Sequence, residues 1–218
     1  IRRPPRSTLF PYTTLFRSRL SIDGTGEAPA DAACRIFIDD GRNLRGGGIF
    51  TDLMVHFIDV AHWFLELDHP ERATSIGNMF TFQDVWEAPD TVQTLLQYTS
   101  PAELQVYFEG TFYNARNHAM MEYMGSEATL YCDRGQYHVL PEPNSKLEAK
   151  ELVLGHGGQG DDFYDQPEGE LLHLSNWLEC IRTRATPNAP VQAGVSAASA
   201  AHLANAALRK GEVVQWST

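Results

Sequence analysis

From Glu103 to Glu109 the chain alternates: Leu104, Val106 and Phe108 are apolar, while Glu103, Gln105 and Glu109 are polar. A period of two fits a strand with one buried and one wetter face, the pattern typical of antiparallel pairing. Strand patterning recurs over 72–82, 91–99, 119–124, 128–132 and 136–140. Ser100-Pro101 and Asp133-Arg134-Gly135 are connections short enough for hairpins. Before these segments, Thr51 or Asp52 is expected to cap an amphipathic helix that runs to about Leu67. After them, Pro167 opens a helix with Leu171, Leu174, Leu178 and Ile181 on one stripe. A last helix runs from about Ala193 to Lys210 and closes at Gly211, before a short strand over Val213–Trp216. The expected class is α+β: a largely antiparallel open sheet of about six strands with helices on one face.

Composition narrows the partners. The 218 residues are 43% apolar and carry a formal charge of −11, which excludes wholesale disorder and opposes nucleic-acid binding. No apolar run approaches the roughly eighteen residues of a membrane helix. Cys34, Cys132 and Cys180 have neither the number nor the spacing of a disulfide framework or zinc site, so a reducing, cytoplasmic setting is expected. A small neutral or weakly charged molecule fits this surface better than a polyanion.

Residues 1–20 stand apart, with five arginines and no acid, and with near-repeats at Ser7-Thr8-Leu9-Phe10 and Thr13-Thr14-Leu15-Phe16. They lack the apolar stretch of a secretory signal. A basic targeting peptide is one reading; the segment also resembles translated adapter DNA and is set aside from the fold. Residues 21–44, broken by Gly24, Gly26, Pro29 and Gly41, read as a linker or damaged segment, and the domain proper is expected over 45–218.

The stretch with most chemical content is Gly46 to Asp59. Asp52, His56 and Asp59 stand at i, i+4 and i+7, on one helical stripe among apolar neighbours that desolvate part of it. A carboxylate beside an imidazole orients it and raises its basicity, which suits proton transfer near neutral pH. An N-cap aspartate followed by a core histidine satisfied by a carboxylate gives the same spacing. Three metal ligands on a single stripe, with no second helix implicated, make a metal site the weakest alternative. The glycine triplet lets backbone approach a polar ligand closely at the helix start.

The pattern GGG-x-x-x-D-x-x-x-H-x-x-D on a helix, followed by strands and an Ala-rich last helix, resembles the C-terminal domain of the Gfo/Idh/MocA family over Arg45 to Trp216. That family comprises NAD(P)-dependent sugar and cyclitol oxidoreductases. Asp59, Asn114 and Arg116 are candidate substrate-binding residues from their polar side chains; the resemblance implies that His56 exchanges the proton of a substrate hydroxyl with Asp52 orienting it. It further implies that Gly47 and Gly48 approach an NAD or NADP cofactor held mainly by an N-terminal Rossmann domain. A carbohydrate or cyclitol would be the substrate, and the open sheet face, with Tyr98 and Tyr107, would join copies of the chain into a homo-oligomer. Neither the family's Gly-rich nucleotide loop nor its Glu-Lys-Pro segment is found, since Lys146, Lys150 and Lys210 have other surroundings. The chain is therefore expected to be the substrate half of an enzyme. An NAD-dependent glycoside hydrolase of the same fold and a non-catalytic binding or oligomerisation module are the alternatives.

Gly155-His156-Gly157-Gly158-Gln159-Gly160 fits G-x-G-x-x-G after a strand-like 151–154, but Asp161, Asp162 and Asp165 follow where a pyrophosphate would sit, and Pro167 delays the helix. A surface loop is expected there. Tyr113, Asn117 and His118 surround Asn114 and Arg116 in a segment that reads equally as a solvated hairpin loop. His173 reads as a boundary residue of its helix, and His62 and Trp63 as packing residues between helix and sheet.

Overall fold

A computed structural model describes residues 47–81, 88–112, 114, 119–133, 135–153 and 169–217. Among them are helices α1 (Val55–Leu65), α2 (Gly169–Thr183) and α3 (Val191–Lys210). The strands are β1 (Arg72–Asn78), β2 (Thr91–Tyr98), β3 (Leu104–Thr111), β4 (Met120–Met124), β5 (Ala128–Asp133), β6 (Gln136–Pro141), β7 (Lys150–Val153) and β8 (Val214–Gln215). The α+β class and the antiparallel pairing are as expected. The strands divide into two four-stranded sheets, in the orders β3-β2-β1-β8 and β4-β5-β6-β7. The chain correspondingly forms two units, Ile1–Tyr113 with Thr186–Thr218, and Asn114–Ala185.

In the first unit the register sets Leu95 opposite Tyr107 and Ile76 opposite Gln93, so period two sorts each strand by face. Val92, Thr94, Leu96 and Tyr98 of β2 point inward and are buried, joined by Ala73 and Ser75 of β1. Leu104, Val106 and Phe108 of β3 pack against that core. The polar pair among these satisfies itself: Ser75 Oγ donates to Thr94 Oγ1 at 2.8 Å, and Thr94 Oγ1 donates to the Thr74 carbonyl at 3.0 Å. Helix α3 covers the inner face through Ala197, Ala200, Ala201, Ala204 and Ala207, each 2% exposed or less. Methyl-sized side chains let this helix ride close to the sheet, and Gly211 ends it in a left-handed conformation (φ +66°), its N–H returning to the Ala207 carbonyl. On the outer face Ile76, Leu95 and Tyr107 are exposed among polar neighbours. Tyr98, in contrast, faces inward.

The Tyr98 position organises a buried polar chain. His62 of α1 lies between Tyr98 Oη, 2.8 Å from its Nε2, and Ser196 Oγ of α3, 2.6 Å from its Nδ1. Ser196 donates its hydroxyl proton to the Asp68 carbonyl at 2.9 Å, so it must accept from His62 Nδ1–H. Nε2 is then the acceptor, and Tyr98, whose phenol is pushed upward by burial and stays protonated, donates to it. His62 thus packs the helix against the sheet as its sequence surroundings suggest, whereas Trp63 is half-buried and stacks on Phe64 with ring centroids 5.2 Å apart. Tyr98→Phe removes the donor to a buried ring nitrogen, an expected loss of roughly 1–3 kcal/mol in denaturant unfolding. A change below about 0.5 kcal/mol would contradict the network.

The second unit contains β4–β7, all antiparallel, with no strand residue fully buried. Its β5–β6 hairpin is built by Asp133, whose Oδ1 accepts the N–H groups of Gly135 and Gln136 at 2.8 and 3.0 Å. Its Oδ2 accepts the Tyr131 hydroxyl and the Gln136 amide, both at 2.9 Å. Helix α2 carries the expected stripe, but Leu171, Leu174, Leu178 and Ile181 are 44–61% exposed and no residue of the helix is buried.

Candidate active site

Two glycines set the start of the helical run that carries the candidate residues. Gly47 and Gly48 have φ of +69° and +64°, a region L side chains rarely occupy. A Cβ on Gly47 would press into the Thr51 side chain and stand 2.8 Å from Asn205 Nδ2, while one on Gly48 would lie 3.2 Å from Ala88 Cβ. The turn is therefore held between its own helix, Ala88 and α3. Asn205 of α3, 3% exposed, donates its side-chain amide to the Gly47 carbonyl at 2.7 Å.

Neither Thr51 nor Asp52 caps the helix, as the sequence pattern had suggested. Right-handed helical backbone begins at Ile49, directly after the two left-handed glycines, with no side-chain cap, and Thr51 Oγ1 donates back to the Gly48 carbonyl at 3.3 Å. The next turn also departs from an α-helix: Phe50–Met54 is a π-helical stretch, in which Val55 N–H reaches the Phe50 carbonyl, five residues back. A π turn needs more residues to close than an α turn, so positions four apart come more nearly into line along the axis. Asp52 and His56 are such a pair, and single π turns of this kind recur at functional sites.

Core packing fixes the run from the other side. Ile49, Phe50, Met54 and Ile58 are each 1% exposed or less and pack into the core with Leu96 and Tyr98. Phe50 and Phe57 both meet the Phe108 ring of β3, with centroids 6.2 and 6.1 Å apart. Asp52, His56 and Asp59 are all half-buried. The fully buried core histidine of this helix is His62, not His56. Two residues after Ala88, Asp90 is 0% exposed, and its Oδ2 accepts the N–H groups of Phe80 and Thr81 at 3.0 and 2.7 Å.

The structure thus brings Gly47, Gly48, Asp52, His56 and Asp59 onto one continuous run. Asn114 is exposed and belongs to the second unit. Arg116 lies outside the described residues, as do Tyr113, Asn117, His118, the 155–160 glycine loop and the acidic residues after it. His173 is half-buried on α2. Among the described residues no group of three or more His, Cys, Asp or Glu could hold a metal ion, and no helix is long and apolar enough to cross a membrane. Sequence reasoning missed Asn205, the buried polar residue that contacts the turn, and the buried Asp90.

The sequence profile of the GFO/IDH/MocA C-terminal domain matches residues 21–138, more than half of the chain. The chain belongs to the GFO/IDH/MocA family. No sequence among curated proteins matches it. Solved structures share the GFO/IDH/MocA fold at low identity. UDP-N-acetylglucosamine 3-dehydrogenase GnnA from Acidithiobacillus ferrooxidans is 12% identical with a TM-score of 0.56, over 74% of this chain and 47% of that one. A protein described as a candidate myo-inositol dehydrogenase from Sinorhizobium meliloti is 17% identical with a TM-score of 0.55, over 79% and 51%. The WlbA dehydrogenase from Bordetella pertussis, solved with NADH and UDP-GlcNAcA, is 14% identical with a TM-score of 0.53, over 78% and 45%. The chain spans about half the length of these relatives.

Proposed function

We propose that this domain is the substrate-binding, proton-transferring part of an NAD(P)-dependent oxidoreductase acting on a sugar or cyclitol hydroxyl. The observation that carries this reading is the half-buried Asp52–His56–Asp59 series, displayed from a π turn behind a left-handed glycine turn, in a chain of this family. Half-burial is the useful environment: dry enough to strengthen a carboxylate–imidazole interaction, open enough to admit a hydroxyl. In the oxidative direction His56 takes the hydroxyl proton as the substrate carbon loses hydride and the carbonyl forms. Asp52, one helical turn away on the same stripe, orients the imidazole for that transfer. Asp59 on the same helix supplies a hydrogen-bond partner for a remaining hydroxyl.

The nicotinamide, when bound, provides the hydride acceptor. Of the two glycines assigned to it, Gly47 is buried with its carbonyl engaged by Asn205, so its part is to shape the turn. Gly48 is half-buried and keeps accessible backbone, which fits a close approach by the cofactor. A homo-oligomer joined through the outer face of the first sheet is part of the same proposal, supported by the exposure of Ile76, Leu95 and Tyr107.

The reading is tested by incubating the complete protein with NAD or NADP and a panel of sugars, nucleotide sugars and cyclitols while following nicotinamide absorbance. Substrate-dependent reduction is expected for at least one member. Release of free sugar from a glycoside without net reduction would replace this reading with the hydrolase. Binding without either reaction would leave a non-catalytic module.

A further inference from the structure

We infer that Asn205 is a positioning residue for this site, acting through the glycine turn; the catalytic part of the inference rests on the function proposed above. Four observations converge on it. Asn205 is 3% exposed, in the middle of α3, among buried residues that include Ala197, Ala200, Ala201, Ala204 and Ala207. A buried carboxamide in such surroundings is costly to desolvate unless it is paired. Its Nδ2 donates to the Gly47 carbonyl at 2.7 Å, across 158 residues of sequence. The same nitrogen occupies the space where a Cβ on Gly47 would stand, 2.8 Å away, so side chain and turn fit each other.

The consequence reaches the chemistry through the backbone. Gly47 has left-handed φ and immediately precedes the helical run, and its carbonyl accepts this long-range contact at the point where the run begins. Orientation of Gly47 fixes where the helical run starts, and the start fixes the azimuth of the π turn that carries Asp52 and leads into His56. The alanine face is what lets α3 come near enough for a side chain as short as asparagine to reach. Asn205 touches neither substrate nor cofactor in this scheme; it sets the register of the residues that do.

The test compares Asn205→Asp, which keeps the shape and loses the donor, with Leu203→Ala, which loosens the same helix elsewhere. Hydrogen exchange of this chain reads the turn without any activity assay. Asn205→Asp is expected to speed exchange over residues 48–54 by roughly tenfold or more while β2 stays protected. Leu203→Ala should speed both regions together. In the complete enzyme Asn205→Asp should lower kcat at least ~10-fold with KM little changed, the mark of misplaced reacting groups, whereas Leu203→Ala should not. Unchanged exchange over 48–54, or the same uniform loosening in both variants, would overturn the clamp whatever the activity. Loosened exchange with an unaltered kcat would overturn the positioning role. A wild-type protein that turns over no sugar or cyclitol is a failure of the functional reading instead, seen before any variant is made, and the exchange experiment still decides the clamp.

Discussion

His56→Ala should lower kcat of the complete enzyme by at least ~10²-fold, the usual scale for losing a general acid–base group. The histidine is half-buried and stands on the stripe with Asp52 and Asp59, while the structural demand for a buried histidine in α1 is met by His62. Removing His56 should therefore cost turnover far more than stability, with denaturant unfolding shifted by less than about 1 kcal/mol. KM should change little if the proton moves only as the transition state is reached. Steady-state kinetics on purified variant and wild type decide it. Comparable kcat values would remove His56 from proton transfer, and a large loss of stability would return it to the core.

Gly47→Ala is the second large effect expected. The left-handed backbone alone costs an L-residue roughly 1–2 kcal/mol. Overpacking against Thr51 and the Asn205 amide adds about 1–3 kcal/mol, since neither neighbour is the free end of a flexible chain. A total of about 2–5 kcal/mol is expected. Gly211→Ala is the internal control: its φ of +66° is almost the same, but nothing lies within 4 Å of the new methyl, so only the strain should appear. Stability read from exchange of the most protected β2 amides should therefore fall further for Gly47→Ala than for Gly211→Ala. Equal losses would mean that the turn yields and the contact with Asn205 carries no weight.

What could be read from the sequence follows from what each signal encodes. The Glu103–Glu109 alternation becomes β3 because period two specifies both the strand and its faces: Leu104, Val106 and Phe108 inward, Gln105, Tyr107 and Glu109 outward. Helix α3 ends at Gly211 because the left-handed stop has a residue-level signature. Alternation does not name a strand's neighbour, which is why the partition into two sheets was not legible. The same limit governs α2, where Leu171, Leu174, Leu178 and Ile181 share a face without that pattern saying what covers it.

At the candidate site the stripe of Asp52, His56 and Asp59 was legible from spacing, but the π turn was not. An N–H that reaches five residues back instead of four leaves no mark in composition. Thr51 and Asp52 look like caps because their side chains favour that role, yet the glycine backbone had already turned the chain. Asn205 did leave a signal. It sits four residues after the buried Ala201 in an alanine-rich helix, and a polar side chain on a core stripe marks a group that must have found a partner.

Hydride origin is the most direct test of the central claim, that this domain presents a hydroxyl-bearing substrate for oxidation. The complete protein would be given NAD or NADP and a sugar or cyclitol carrying deuterium on the carbon to be oxidised, and the nicotinamide product weighed by mass spectrometry. Deuterium in the reduced nicotinamide, with the matching ketone or lactone as co-product, is the expected result. Turnover of the substrate with no deuterium reaching the nicotinamide would contradict the account.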